Sequence, residues 1–161
     1  MSPTFRHPSA ELRGFAPFEL ELPEGWRADE APDTLGVFFD PTAAGFRVNV
    51  LLGVDRVGID VDLETAAQIT LEGVAGYPRF QVERETAAEV SGRPASMRLQ
   101  TFEPEGAPGA LLQLQVLFFN PPDGRTQTHD LFHLDGTCLA ADAETYEPVF
   151  LQIAASFRFL D

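Results

Sequence analysis

The 161-residue sequence predicts an α+β fold: a mostly antiparallel, twisted sheet of about six to eight strands with two main helices. Three observations carry this expectation. Ala110–Asn120 is the longest β-type apolar run and stops at Pro121-Pro122-Asp123-Gly124, which reads as a central strand and its turn. Shorter alternating runs recur between Gly, Pro and Asp turns, with Asp135-Gly136 as a two-residue hairpin signal. Helical periodicity follows Asp62 and Thr145.

In order, residues 1–16 read as an N-terminal arm containing Pro3, Pro8 and Gly14, with Phe5, Leu12 and Phe15 able to pin it to a single domain over 17–161. Phe18–Leu22 alternates and stops at Pro23-Glu24-Gly25-Trp26, so it is a first strand. A loop rich in Asp, Glu and Pro runs to Asp33. Strands are expected at Leu35–Asp40 and at Phe46–Val54, the latter with Phe46, Val48, Val50, Leu52 and Val54 on one face. Asp62 caps a helix to about Ala75, where Leu63, Ala66, Ala67, Thr70, Leu71 and Val74 form one stripe and Gly76 ends it. Phe80–Val90 is polar and edge-like, and Ser91-Gly92-Arg93-Pro94 turns into a strand from Ala95 to about Glu103. On the central strand Leu112, Leu114, Val116 and Phe118 share an apolar face, while Leu111, Gln113, Gln115, Leu117 and Phe119 make a half-polar one. Thr126–Leu134 and Thr137–Asp142 pair about Asp135-Gly136. Thr145 caps the last helix, which tolerates Pro148 in its first turn and turns Tyr146, Val149, Phe150, Ile153 and Phe157 inward.

Composition narrows the function. Net charge is −14 and the 11 basic residues, all arginine, are spread from Arg6 to Arg158, so nucleic acid is a poor partner. No apolar run approaches the ~18–20 residues of a membrane span. The single Cys138 leaves no internal disulfide, and a chain of this size buries roughly 68–70% of its unfolded surface without one. Met1–His7 shows no apolar segment after a basic start, so the expectation is a cytoplasmic protein without a signal peptide.

Four motifs in fixed order carry a family resemblance across Phe18–Phe159: Phe18–Leu22 before Pro23-Glu24-Gly25-Trp26, Val48-Asn49-Val50, Gly92-Arg93-Pro94-Ala95, and the closing Ala155-Ser156-Phe157. The sequence resembles the Mog/PsbP-like superfamily, especially its bacterial DcrB-like and LpqN-like members. The resemblance implies an α/β/α sandwich and a family of binding proteins without shared catalytic residues. Its members include photosystem assembly factors, a Ran-binding protein, envelope lipoproteins and chaperones for transmembrane helices of type VI secretion effectors. The missing signal peptide and lipobox cysteine favour a cytosolic chaperone or adaptor.

Candidate chemistry gathers on the last hairpin. A two-residue turn would set His133 opposite Cys138 and His129 opposite Asp142, with opposed Cβ atoms about 4.5–5.5 Å apart. That permits a thiol nucleophile with a histidine base. A buried thiol beside a hydrogen-bonded histidine is the stronger reading, because no oxyanion hole or nucleophile loop accompanies it. Zinc is not expected, since His129 and His133 on one strand stand roughly 13 Å apart at about 3.3 Å per residue. Asp55, Asp60, Asp62 and Glu64 lack the EF-hand spacing and glycine, so capping and solubility explain them. No phosphate loop, dinucleotide fingerprint or nucleophile elbow occurs, and no cofactor is expected.

The leading functional reading is a non-enzymatic protein-binding module, a chaperone or adaptor holding a partner segment such as an apolar helix of a secretion effector. Its site would be the half-polar sheet face: Arg47, Asn49, Leu51, Arg98, Gln100, Gln113, Gln115, Leu117, His129 and His133. On the competing view a helix or the arm covers this face and its amides satisfy backbone groups. A homodimer covering the face with its own copy is a third reading. The alternative class is a small-molecule-binding or hydrolytic domain built on His129, His133, Cys138 and Asp142.

Overall fold

Period-two patterning gives the computed structural model, which describes residues 2–161, its main sheet. The strands are β1 (Phe18–Glu19), β2 (Arg27–Asp29), β3 (Gly36–Phe39), β4 (Asn49–Gly58), β5 (Gln81–Val90), β6 (Arg93–Phe102), β7 (Leu111–Phe119), β8 (Thr128–Leu139) and β9 (Arg158–Phe159). Helix α1 (Leu63–Val74) joins β4 to β5, and α2 (Ala143–Ser156) follows β8 after a short 3₁₀ turn. Seven strands form one sheet in the order β2-β3-β4-β8-β7-β6-β5, every neighbouring pair antiparallel, and β1 pairs with β9 in a small second sheet.

The two faces of β7 carry the two helices. Leu112, Leu114, Val116 and Phe118 pack with Phe132 of β8 and with Phe150, Ile153 and Ala154 of α2. Leu117 packs on the other side with Ala66 of α1, Leu131 and Phe119. The result is the expected α/β/α sandwich. Phe118, Phe132 and Phe157 are at most 1% exposed, and Phe18 and Phe159 of the small sheet close the cluster around them. The arm joins this core from Ala16 onward, while Phe5 is 70% exposed and Phe15 lies under the guanidinium of Arg56.

Several local signals act as written. Asp62 caps α1 by accepting from Thr65 N at 2.7 Å. Ser91 and Gly92, both at positive φ, make the two-residue turn between β5 and β6. β5 is the exposed edge, and a bulge between Val82 and Arg84 interrupts its pairing.

Four expectations need correction. Asp135-Gly136 is not a turn: β8 runs unbroken through it, because Asp135 and Gly136 are paired on one side to Leu51 and Val50 and on the other to Gln115 and Leu114. Two ladders of backbone hydrogen bonds outweigh a local turn preference. Glycine serves there as a slot, since a Cβ at 136 would come within 2.5 Å of Phe150 Cγ. Second, β8 rather than β7 is the middle strand. Third, α2 starts at Ala143, so Thr145 is not its cap and Pro148 lies beyond the first turn, on the exposed side where a missing N–H costs least. Fourth, Arg27–Asp29, read as loop, adds a short edge strand by pairing with Val37–Phe39.

Candidate partner-binding face

Directly paired residues share a face, so the register assembles the α1 side of the sheet in rows. One row runs Phe39, Asn49, Thr137, Gln113, Gln100. The next runs Val37, Leu51, Asp135, Gln115, Arg98, Glu85, and a third Gly53, His133, Leu117, Ser96, Ala87. The sequence reading placed Asn49, Leu51, Arg98, Gln100, Gln113, Gln115, Leu117 and His133 on one face, as the register does, although it drew β8 as a hairpin.

Helix α1 divides this face. It lies on β6 and β7, and under it Arg98, Gln115 and Leu117 are buried. Every nitrogen of the Arg98 guanidinium has a partner: Nε donates to Gln100 Oε1 at 2.7 Å, Nη1 to Ala67 O at 3.0 Å, and Nη2 to Gln115 Oε1 at 2.6 Å and Thr70 Oγ1 at 3.4 Å. A guanidinium taken out of water needs such partners. Burial lowers the Arg98 pKa, and Glu85 and Asp135 oppose that shift electrostatically. The amides continue outward as a relay, Gln100 Nε2 donating to Gln113 Oε1 at 2.7 Å and Gln113 Nε2 to Thr137 Oγ1 at 3.3 Å. The expected amides are therefore largely bonded to one another and to Arg98, and Arg98, Gln100, Gln115 and Leu117 are withdrawn from any partner.

Among the described residues, α1 has its main contacts with β6 and β7 and not with β3 or β4. There Val37, Phe39, Asn49, Leu51 and Gln113 are half-exposed, and Arg47 stacks on the Phe39 ring with its guanidinium carbon 3.6 Å from the centroid. His133 borders this area. Its ring fills the space that a side chain on Gly53 would need, a Cβ there falling 2.2 Å from Nε2. Its Nδ1 bonds Asp135 Oδ2 at 2.8 Å, and Asp55 Oδ2 stands 3.8 Å from Nε2. Burial alone would lower the His133 pKa; the Asp135 hydrogen bond and the two carboxylate charges outweigh it and raise the pKa above the ordinary value of 6.5. Val37, Phe39, Thr137, Asp135 and Asp55 belong to the area but were not singled out from sequence. Alternation within β3 placed Val37 and Phe39 together, and only the register of β8 adds the rest.

The hydrolytic cluster does not assemble. With β8 continuous, His133 points to the α1 side and Cys138, five residues on, to the α2 side. Cys138 is 0% exposed, and burial, with Asp142 and Glu147 adding to it, pushes its thiol up to about 12, the opposite of an activated nucleophile. Asp142 lies at the start of α2. His129 stacks on Phe119 and its Nε2 donates to Val61 O at 2.8 Å, which places it beneath the loop leading into α1 and away from the open area. Among the described residues no group of three His, Cys, Asp or Glu side chains is arranged to hold a metal ion, and no helix is long and apolar enough to cross a membrane.

No family model matches the sequence, and no curated protein does. Solved structures do match the fold. LpqN, involved in cell envelope biogenesis of Mycobacterium tuberculosis, is similar with a TM-score of 0.75 at 17% identity, over 96% of this chain and 88% of that one. Cyanobacterial PsbP (CyanoP) from Synechocystis sp. PCC 6803 gives 0.60 at 14% identity, over 91% and 95% of the two chains. A point mutant of the protein Mog1 gives 0.59 at 12%, over 89% and 91%. At these identities the likeness is one of fold, the fold that the four sequence motifs implied.

Proposed function

We propose that this chain, whose fold is Mog/PsbP-like, is a non-enzymatic protein-binding module, a cytoplasmic chaperone or adaptor that holds a partner's helix on the part of the sheet left open by α1. One observation carries the reading: α1 lies chiefly on β6 and β7, and an apolar and amide surface of Val37, Phe39, Asn49, Leu51 and Gln113 remains half-exposed beside it. A second helix laid there would bury the apolar residues as α1 buries Leu117. Asp29 and Asp135 lie in the row of Leu51, Asp55 stands beside His133, and the chain carries −14, so the occupant suited to this surface is amphipathic, with cationic residues beside its apolar ones. LpqN, whose work is described as cell envelope biogenesis, shares the fold and leaves this type of role open.

The test is a pull-down from the native host with wild type, Leu51→Arg and, on the exposed edge away from the area, Val82→Arg, each first shown to melt like wild type. Leu51→Arg should lose a specific protein that wild type and Val82→Arg retain, followed by site-specific photocrosslinking from position 51 to a helix of that protein. Retention of the same partners by Leu51→Arg removes the open-face reading. Concentration-dependent dimerisation abolished by Leu51→Arg replaces it with self-association.

A further inference from the structure

A second site stands at the opposite end of β8, around the loop that joins β7 to it. Arg13, Arg56 and Arg125 converge there on the carboxylates Asp123 and Asp130, and Arg93 reaches the backbone carbonyl of Asn120 beside them, a local excess of positive charge in a chain of −14. Most of that charge is already engaged. Asp130, fully buried, accepts from Arg56 Nε at 2.9 Å and from Arg125 Nη2 at 2.7 Å, and its backbone N–H donates to Asn120 Oδ1 at 2.9 Å. Burial alone would raise the Asp130 pKa, but the two guanidiniums reverse the shift and hold it below the ordinary carboxylate value. This clamp fixes the loop to the sheet.

Arg93 is different. At the start of β6 and half-buried, it makes one long hydrogen bond, Nη2 to Asn120 O at 3.4 Å, it forms no ion pair among the described residues, and its Nε is buried without a partner. A half-buried guanidinium left without a counter-ion is costly, and a carboxylate reaching its outer N–H groups would supply one. Beside it is a cavity of about 100 Å³, which Arg93 lines together with Asn120, Thr128, His129, Ile59 and Pro121. That volume holds several water-sized groups, enough for a short carboxylate.

We propose that this cavity binds a small monoanionic carboxylate, with Arg93 as its counter-ion and Ile59 and Pro121 against its alkyl end. Three features select that class. The unengaged cation supplies the charge, Thr128 supplies a hydroxyl, and the apolar wall favours a short alkyl group over a naked inorganic ion. Asp123, also lining the cavity, is neutralised by Arg125, which leaves Arg93 as a single uncompensated positive charge that suits a monoanion better than phosphate.

The experiment is an NMR titration of the whole chain with acetate, propionate and inorganic phosphate, at ionic strength held constant with chloride. Propionate should shift the Arg93 Nε–H and His129 ring signals saturably, more tightly than acetate and much more tightly than phosphate. Arg93→Gln, checked for unchanged melting and for an unchanged amide spectrum away from the loop, should weaken propionate by at least about tenfold, equivalent to about 1.4 kcal/mol. If Arg93→Gln does not fold, Arg93→Lys keeps the charge without the fork and should weaken propionate by several-fold. The proposal is overturned by shifts that never saturate, by phosphate binding as tightly as propionate, or by a folded Arg93 variant that binds propionate like wild type.

Discussion

The two faces of the sheet solve different problems with the same strands. On the α2 side, a set of aromatic and aliphatic side chains around Phe118, Phe132 and Phe157 packs directly against α2. On the α1 side, the helix meets a buried arginine and a chain of amides, and stops before β3 and β4. Close packing has no directional demand beyond shape, so it seals a face completely. A hydrogen-bonded network must satisfy every member, and it ends where water can finish it. The contrast explains why the α1 side keeps a half-exposed area beside its helix.

The largest effect expected from breaking this contrast is Phe132→Ala on the sealed side. Phe132 is 0% exposed and touches Phe18, Phe118, Phe157 and Phe159, so its loss should cost about 3–5 kcal/mol in denaturant unfolding. Arg98→Met on the other face should cost less, about 1–3 kcal/mol, because it removes a desolvated charge together with the partners of Gln100 and Gln115.

Two glycines sharpen the comparison further. A methyl at Gly136 meets the Phe150 ring at 2.5 Å, in a core that cannot yield, and Gly136→Ala should cost about 1–3 kcal/mol. A methyl at Gly53 meets only the His133 ring, the far end of a side chain that can swing toward solvent. Gly53→Ala should therefore cost less than Gly136→Ala, measured by the same unfolding curves, and equal costs would mean the α1 side is as tightly sealed as the other.

The smallest effect is a pH dependence confined to the half-polar face. His133 has its pKa raised in the folded state, so its stabilising contribution is fully present below the unfolded value of about 6.5 and is lost as pH rises through the folded value. Wild type should lose a little stability across that window, beginning near pH 6.5, and His133→Gln should flatten that segment of the profile. A profile unchanged by the substitution would show that Asp135 and Asp55 do not hold the imidazolium. Cys138 gives no such signal, since its buried thiol should resist alkylation until the chain unfolds globally.

What the sequence determined by itself is the part written in short-range patterns. Alternation in Leu111–Phe119 assigned both faces of β7 correctly, Asp62 marked the start of α1, Ser91-Gly92 marked a turn, and the polar run before it marked an edge. These follow from side-chain period and local hydrogen bonding, which need no distant residue. The same patterns grouped Asn49, Leu51, Gln113 and His133 on one face. Only tertiary structure decided that Asp135-Gly136 continues a strand, that Cys138 and His133 part to opposite faces, and that α1 covers Arg98 and Gln115 but leaves Leu51 half-exposed. Each of those outcomes depends on partners far along the chain, the β4 and β7 ladders on either side of β8 and the Phe150 ring above Gly136, whose combined hydrogen bonds and packing outweigh what any local run of residues prefers.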